Sequence, residues 1–293
     1  MRDKVTPIFM WAGGKTKMLK HHVKYLPPFI ETYSEPFFGG GAMFLYVKTT
    51  YNPSVCYIND INRDIMNIYR AIQENPTEFC YFVDKLQDKY IPLSYEDRKQ
   101  MYYEIRNNYA YNFKQFTDIE EPATLYFLMK TSFNGIWQIN QNTNQRFGTP
   151  CGLLNHENII YDKNNIFLWN TLLENVIISS EDYSKCQVGD VNYFDPPYRS
   201  SFTKYSTDWS DEDFIKLIEY AENLDGTTII CNRYEDDGFF ETNKRSFIMD
   251  LYDITYTAGR RKKTQFGYEA KKAKEIVLCN RSIPSSSLSQ IFT

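Results

Sequence analysis

Apolar and polar positions along this chain follow two different periods, and the change of period divides it. Through the first sixty residues short apolar runs alternate with glycine turns and amphipathic stretches. "TPIFMWAGGK" is an apolar run closed by a glycine pair. "KTKMLKHHVKYL" carries Met18, Leu19, Val23 and Leu26 at helical spacing and stops at Pro27-Pro28. "TYSEPFFGGGAMFLYVKT" reads as strand, glycine turn and helix, and "SVCYINDIN" as a second strand ending at Asn59-Asp60. From Ile61 to Phe133 the spacing is helical: "RDIMNIYRAIQ", "PTEFCYFVDKLQDKY", "SYEDRKQMYYEIRNNY" and "EEPATLYFLMKTSF" are amphipathic, with Ser94 and Asp97 placed to cap the third. Residues 134–161 are rich in Asn, Gln and Gly with isolated aromatics, which predicts a long polar loop or hairpin; such length inside a compact protein is usually functional. The first texture then resumes, as helix "NNIFLWNTLLEN", strands "VIISSED" and "VNYFD", helix "SDEDFIKLIEYAENL", and strands "TTIICN" and "KEIVLCN".

The pattern predicts one α/β sheet domain, formed by residues 1–61 and 162–283, interrupted by a helical insertion at 62–161. The Ser-rich end, 284–293, is expected to be disordered. With 293 residues, 42% of them hydrophobic, the chain can bury a substantial core. No apolar run approaches a membrane span, and Lys15, Lys17 and Lys20 interrupt any signal-peptide stretch. The six cysteines are scattered without metal-ligand spacing, so they read as free thiols in a reducing cytosol and no metal is expected. A net charge of −4 argues mildly against a nucleic-acid partner. Its distribution reverses that: Gly259 to Arg281 holds eight Lys/Arg, Arg260, Lys262 and Lys263 among them, against Glu269 and Glu275. A basic stretch on an acidic chain suits phosphates, although such a run is more often a solvated face, so it supports a partner only if a site agrees.

Three motifs carry the chemistry. In "YFDPPYRS" two prolines rule out helix or central strand, and they hold Asp195 extended at the end of an apolar run. Taken alone, the stretch could be a rigid turn. In "EPFFGGGAMFL", Gly39, Gly40 and Gly41 permit a tight turn and close ligand approach at a helix start. Nineteen residues past Gly41, Asp60 ends the next strand, where an acid bonds ribose hydroxyls. The glycines are contiguous rather than G-x-G-x-x-G, and Glu35 ahead of them would repel a pyrophosphate but suit a sulfonium or amino group. The reading therefore tilts from a nicotinamide cofactor to S-adenosylmethionine. In "WAGGK", Trp11 could line that pocket and Lys15 could meet the cofactor carboxylate; on this pentapeptide alone a buried Trp and a solvated Lys are the favoured reading.

In order, "WAGGK", "EPFFGGGAMFL", "INDIN", "FNGIWQIN", "FGTPCG" and "DPPY" resemble the Dam-type (D12 class) DNA adenine-N6 methyltransferases, from Pro7 to about Asn280. The resemblance implies a Rossmann-like methyltransferase domain, a helical target-recognition insertion, and S-adenosylmethionine as methyl donor. It places Trp11, Lys15, Asp60 and Asp195 at the cofactor, with Asp60 at the ribose. Phe38 and Gly39 to Gly41 form the cofactor turn, and Asp182 lies at the cofactor adenine. Asp195 and the Pro196 carbonyl would accept the two N–H bonds of adenine N6, drawing its lone pair toward the methyl, while Tyr198 stacks on the base. Because N6 is paired in duplex DNA, the adenine must be flipped out.

The residues that would read DNA depart from the family pattern. Met10 stands where members recognising GATC typically carry Lys, Gln138 where they carry Arg, and "FGTPCG" replaces "F-N-V-P-F-G". Arg and Lys read guanine, and Gln suits adenine. A recognition site other than GATC is expected, read by the loop at about 133–150: Phe133 near the vacated stack, Gln138 on a base edge, and Asn134, Gly135 and Asn140 beside them. Arg260, Lys262 and Lys263 are expected on phosphates. The substrate expected is double-stranded DNA, bound by a cytoplasmic monomer. The rivals are an RNA or protein amine methyltransferase, a catalytically inactive DNA-binding relative, and, more distantly, a nicotinamide oxidoreductase.

Overall fold

The computed structural model describes residues 5–11, 13–144, 146–152, 159–199, 209–256, 262–264, 267–269 and 271–282. A seven-stranded sheet runs through it in the order β3-β2-β1-β4-β5-β9-β6. Its strands are β1 (Thr32–Glu35), β2 (Val55–Asn59), β3 (Val176–Ser179), β4 (Val191–Phe194), β5 (Thr227–Tyr234), β6 (Ile248–Tyr256) and β9 (Lys271–Cys279). The first five pair in parallel, and β9 runs antiparallel between β5 and β6. A short hairpin of β7 (Lys262–Thr264) and β8 (Gly267–Glu269) lies between β6 and β9 in the chain.

The central strands are apolar on both faces because both are covered. Val191, Tyr193, Ile229, Cys231 and Val277 join the large core on one face, whereas Phe194, Ile230, Ile276 and Leu278 join a second cluster on the other. The helices are α1 (Leu19–His22), α2 (Ala42–Thr50), α3 (Arg63–Glu74), α4 (Pro76–Tyr90), α5 (Tyr95–Tyr111), α6 (Glu120–Thr131), α7 (Lys163–Leu172), α8 (Asp211–Glu222) and α9 (Phe239–Asn243). Side chains cap them where the sequence offers acceptors: Asn62 for α3, Asn75 for α4, Ser94 for α5, and Ser210 with Asp213 in a capping box for α8.

The four helical segments of the insertion are present as read. Helix α6 is its axis, buried on nearly every side and packed by α3, α4 and α5. Helix α3 also lies on the sheet: Gln73 Nε2 donates to Leu173 O and Val176 O, each at 2.8 Å, and Arg70 reaches Ser180 Oγ at 2.9 Å. The insertion and the sheet therefore share one continuous apolar core. The polar stretch after α6 is a loose hairpin, with bridges Ser132↔Cys151 and Ile139↔Phe147 and short 3₁₀ turns. Three features differ from the sequence reading. The first helical stretch breaks into 3₁₀, α and 3₁₀ turns, β6 is an additional strand, and the short β7–β8 hairpin is additional as well. The tail at 284–293 lies outside the described residues.

Candidate active site

The order of the sheet reverses between β1 and β4, so the connections leaving those two strands diverge and open a crevice at their carboxyl ends. Glu35 ends β1 and Asp195 follows β4; Asp60 follows β2 and Asp182 follows β3. All four carboxylates line one cavity of about 870 Å³, together with Trp11, Lys15, Tyr198 and the glycine turn. Motifs as far apart in the chain as Lys15 and Tyr198, 183 residues, thus meet at one edge of the sheet.

The glycine turn is needed on steric grounds. Gly39 and Gly41 have φ of +47° and +63°, in the left-handed region. A Cβ on Gly39 would lie 2.4 Å from Trp11 Nε1, and one on Gly41 would lie 2.6 Å from the Phe38 ring. Trp11 therefore lies directly against the turn, which joins the two glycine motifs into one wall. Phe38 is 2% exposed and packs edge-on to Phe44 and Tyr69. Asp60 braces the turn, accepting Gly39 N at 3.0 Å and Asn62 N at 2.9 Å. Burial raises its carboxyl above the usual range, and those two N–H bonds pull the other way.

Lys15 lies deeper than a solvated lysine would, at 4% exposure. Its Nζ donates to Asp195 Oδ1 at 2.5 Å, to Tyr198 Oη at 3.1 Å and to Gly13 O at 3.1 Å, and sits 4.6 Å from the Tyr198 ring centroid. Burial alone would lower the ammonium, but Asp195, Tyr198, Cys231 and Glu275 together hold it well above the ordinary lysine value. Asp195 is itself raised by burial and drawn back by Lys15. Tyr198 passes its own hydroxyl proton toward Glu275 Oε1 at 3.0 Å, a fully buried acid on β9. Beneath this chain His22 Nδ1 lies 2.8 Å from Tyr193 Oη, and burial drops the His22 ring to about 3, so it is neutral. Glu35 accepts Tyr33 Oη at 2.7 Å. Burial raises its carboxyl well above the usual range despite that bond, and the nearby Asp195 adds to the rise.

The opposite wall is aromatic and was not singled out in the sequence. Phe37 stacks on Tyr183 at 5.5 Å, and Trp209 meets Phe37 edge-on at 5.5 Å. Asp182 is exposed at the lip, capping a 3₁₀ turn by accepting Ser184 N at 3.0 Å. Beyond the mouth lies the polar hairpin. Phe133 and Met10 are exposed, at 47% and 63%, and a Cβ on Gly135 would sit 3.2 Å from Met10. Asn134 takes a left-handed φ of +56°, Gln138 is exposed, and Asn140 Oδ1 accepts Asn142 N at 2.9 Å, so this oxygen shapes the loop. Arg146 ties the hairpin down by donating to Tyr109 Oη at 2.8 Å, Tyr109 O at 3.1 Å, Asp64 at 3.3 Å and Glu121 at 2.5 Å. Lys262 and Lys263 are in β7, and Arg260 lies outside the described residues.

A match to the D12 class N6 adenine-specific DNA methyltransferase family spans residues 11–266. The chain belongs to that family. The enzyme methylates adenine N6 in DNA, with S-adenosylmethionine as the methyl donor. It is similar to type II methyltransferase M.MjaIII of Methanocaldococcus jannaschii, 32% identical over 80% of this chain and 87% of that protein. Type II methyltransferase M1.LlaDCHI of Lactococcus lactis subsp. cremoris is 30% identical over 75% and 77%. The retron Ec67 DNA adenine methylase of Escherichia coli is 27% identical over 93% and 90%. The strand order, with its antiparallel β9, is consistent with the Rossmann-like methyltransferase fold. The cavity fits the cofactor: its floor is a glycine turn that a Cβ would fill, and an acid stands at the end of β2. Among the described residues no cluster of His, Cys, Asp and Glu could hold a metal ion, and no helix is long and apolar enough to cross a membrane.

Proposed function

We propose that the methyltransferase acts on an adenine flipped out of duplex DNA, with Asp195 and the Pro196 carbonyl as acceptors for its N6 hydrogens and Tyr198 stacked on the base. The observation that carries this reading is the Lys15–Asp195 pair, in which a buried lysine fixes a partly exposed carboxylate at the carboxyl end of β4, in the same cavity as the glycine turn. Bound S-adenosylmethionine supplies an electrophilic methyl on a positively charged sulfur. The protein's part is positioning and electrostatics. Asp60 holds the ribose, Trp11, Phe38 and Gly39 to Gly41 form the floor, Glu35 faces the cationic end, and Asp182 lies at the cofactor adenine. Asp195 then takes the proton that N6 releases. Stacking on Tyr198 contributes about 1–3 kcal/mol toward the few kcal/mol that flipping costs.

The insertion at 62–161 serves as target-recognition unit, with Phe133, Asn134, Gly135, Gln138 and Asn140 toward the bases. Arg260, Lys262 and Lys263 meet phosphates, and the enzyme acts on DNA as a monomer in the cell compartment holding that DNA. Met10 beside the Asn134–Gly135 turn, and Gln138 further along it, present neither Lys nor Arg to a guanine, which supports a site other than GATC. The decisive experiment replaces Asp195 with Ala. Loss of an acceptor used mainly near the transition state costs about 2.7–4 kcal/mol. We expect methyl transfer to fall at least a hundredfold while DNA binding persists; a variant keeping more than a tenth of the rate would sink the assignment.

A further inference from the structure

The D-P-P-Y stretch poses a problem that its own backbone cannot solve. Pro196 and Pro197 have no N–H, so neither residue can be anchored by donating a hydrogen bond. Only their carbonyls remain as handles, and one of these is the acceptor proposed for adenine N6. Both are held by a single side chain from another strand. Asn232, on β5 and fully buried, donates through Nδ2 to Pro196 O and to Pro197 O, each at 3.2 Å. A carboxamide nitrogen carries two hydrogens, one for each carbonyl. The same carboxamide's Oδ1 accepts Arg199 N at 3.4 Å, so it engages three of four consecutive residues. A carbonyl oxygen has two lone pairs, and with Asn232 on Pro196 O the second can still accept N6–H.

We infer that Asn232 is the positioning residue of the catalytic motif, setting the direction of the Pro196 carbonyl from behind, and this inference rests on the proposed use of that carbonyl. Asn232 is not among the residues lining the cavity. It acts through the backbone it holds, which also explains an amide at a fully buried position in a strand covered on both faces. Misplacement of a reacting group by about 1 Å costs on the order of a hundredfold in rate. That loss falls on kcat rather than on cofactor binding, because the cofactor turn and Asp60 lie on other strands.

The test uses the full-length enzyme with Asn232→Leu, which removes donors and acceptor at similar volume, and Asn232→Asp, which keeps the shape but turns an oxygen toward two carbonyls. We expect kcat to fall on the order of a hundredfold in both. The KM for S-adenosylmethionine and the flipping signal of 2-aminopurine placed at the target should stay within about twofold of wild type. The inference is overturned if either variant keeps more than a third of the wild-type kcat. It is equally overturned if both lose cofactor affinity in step with kcat, which would make Asn232 a general structural residue. Asp195→Ala run in parallel separates the two ideas: an active Asp195→Ala enzyme defeats the proposed chemistry itself, whereas an inactive one beside active Asn232 variants defeats only this inference.

Discussion

Two carboxylates compete for Lys15, that of Asp195 and that of the bound cofactor in the proposed complex, and its variants tell them apart. Its ammonium already donates to Asp195, Tyr198 and the Gly13 carbonyl, so its first effect falls on the carboxylate proposed as catalytic. Burial raises Asp195 and Lys15 lowers it, so removing the ammonium leaves only the upward push. Because Asp195 must be ionised to accept a hydrogen from N6, Lys15→Met should move the acid limb of the kcat–pH profile to higher pH. If Lys15 also meets the cofactor carboxylate, the KM for S-adenosylmethionine rises as well; a shifted limb with unchanged KM assigns it to Asp195 alone. An unmoved acid limb would show that the 2.5 Å pair does not govern the titration. Glu275, which accepts the Tyr198 hydroxyl, belongs to the same chain of contacts and had no signal beyond being one acid in a basic stretch.

Among the elements, the polar hairpin after α6 is held to α5 by Tyr102, donating to Thr149 O at 2.8 Å, and Tyr111, donating to Asn142 O at 2.5 Å, and Arg146 adds the ionic part of its attachment. Arg146 spans from the hairpin to α3, α5 and α6, and its guanidinium lies 4.0 Å from the Tyr109 ring centroid. Its removal leaves Asp64, Glu121 and the Tyr109 hydroxyl without that partner, and each charged hydrogen bond contributes roughly 1.5–3 kcal/mol. Arg146→Ala should therefore lower stability by about 2 kcal/mol or more, measured by urea unfolding. It should raise the KM for DNA while leaving cofactor affinity near wild type, because Asp60 and the glycine turn keep their own bonds. An unchanged KM for DNA would mean that the hairpin takes no part in recognition.

At the scale of the whole molecule, the cavity opens on the carboxyl edge of the sheet. The polar hairpin after α6 and the basic stretch from Gly259 to Arg281 are separate segments of the chain. Lysines that meet phosphates bind every sequence alike. Lys262→Ala and Lys263→Ala should each reduce the slope of log affinity against log salt by about one, at all sites equally. Gln138→Arg should instead change the preference at one base position, where a bidentate pair contributes about 1–3 kcal/mol of discrimination. Sequencing the methylation pattern left by each variant separates these effects. Complete GATC methylation by the wild-type enzyme, unaltered by Gln138→Arg, would overturn the reading of the hairpin.

The sequence by itself determined the class of fold, the helical insertion and most of the proposed catalytic set. Those features are written in local order: period-two and period-3.6 spacing, glycines at a turn, prolines after a strand, an acid at a fixed distance. Helix α4 was legible to its ends because a capping Asn, a Pro and an amphipathic run are all local. Strand β6 was not, because an edge strand with one face toward solvent alternates weakly, and Asp250 and Asp253 mask what alternation remains. Only the tertiary structure decided which distant residues meet. Trp11 lies against Gly39, Lys15 pairs with Asp195, Glu275 accepts Tyr198, Asn232 holds the proline carbonyls, and Arg146 anchors the hairpin. Each is an ordinary residue in its own neighbourhood. Its role comes from strand order, which brings β1, β4, β5 and β9 side by side, and strand order is fixed by packing across the whole chain rather than by any local pattern.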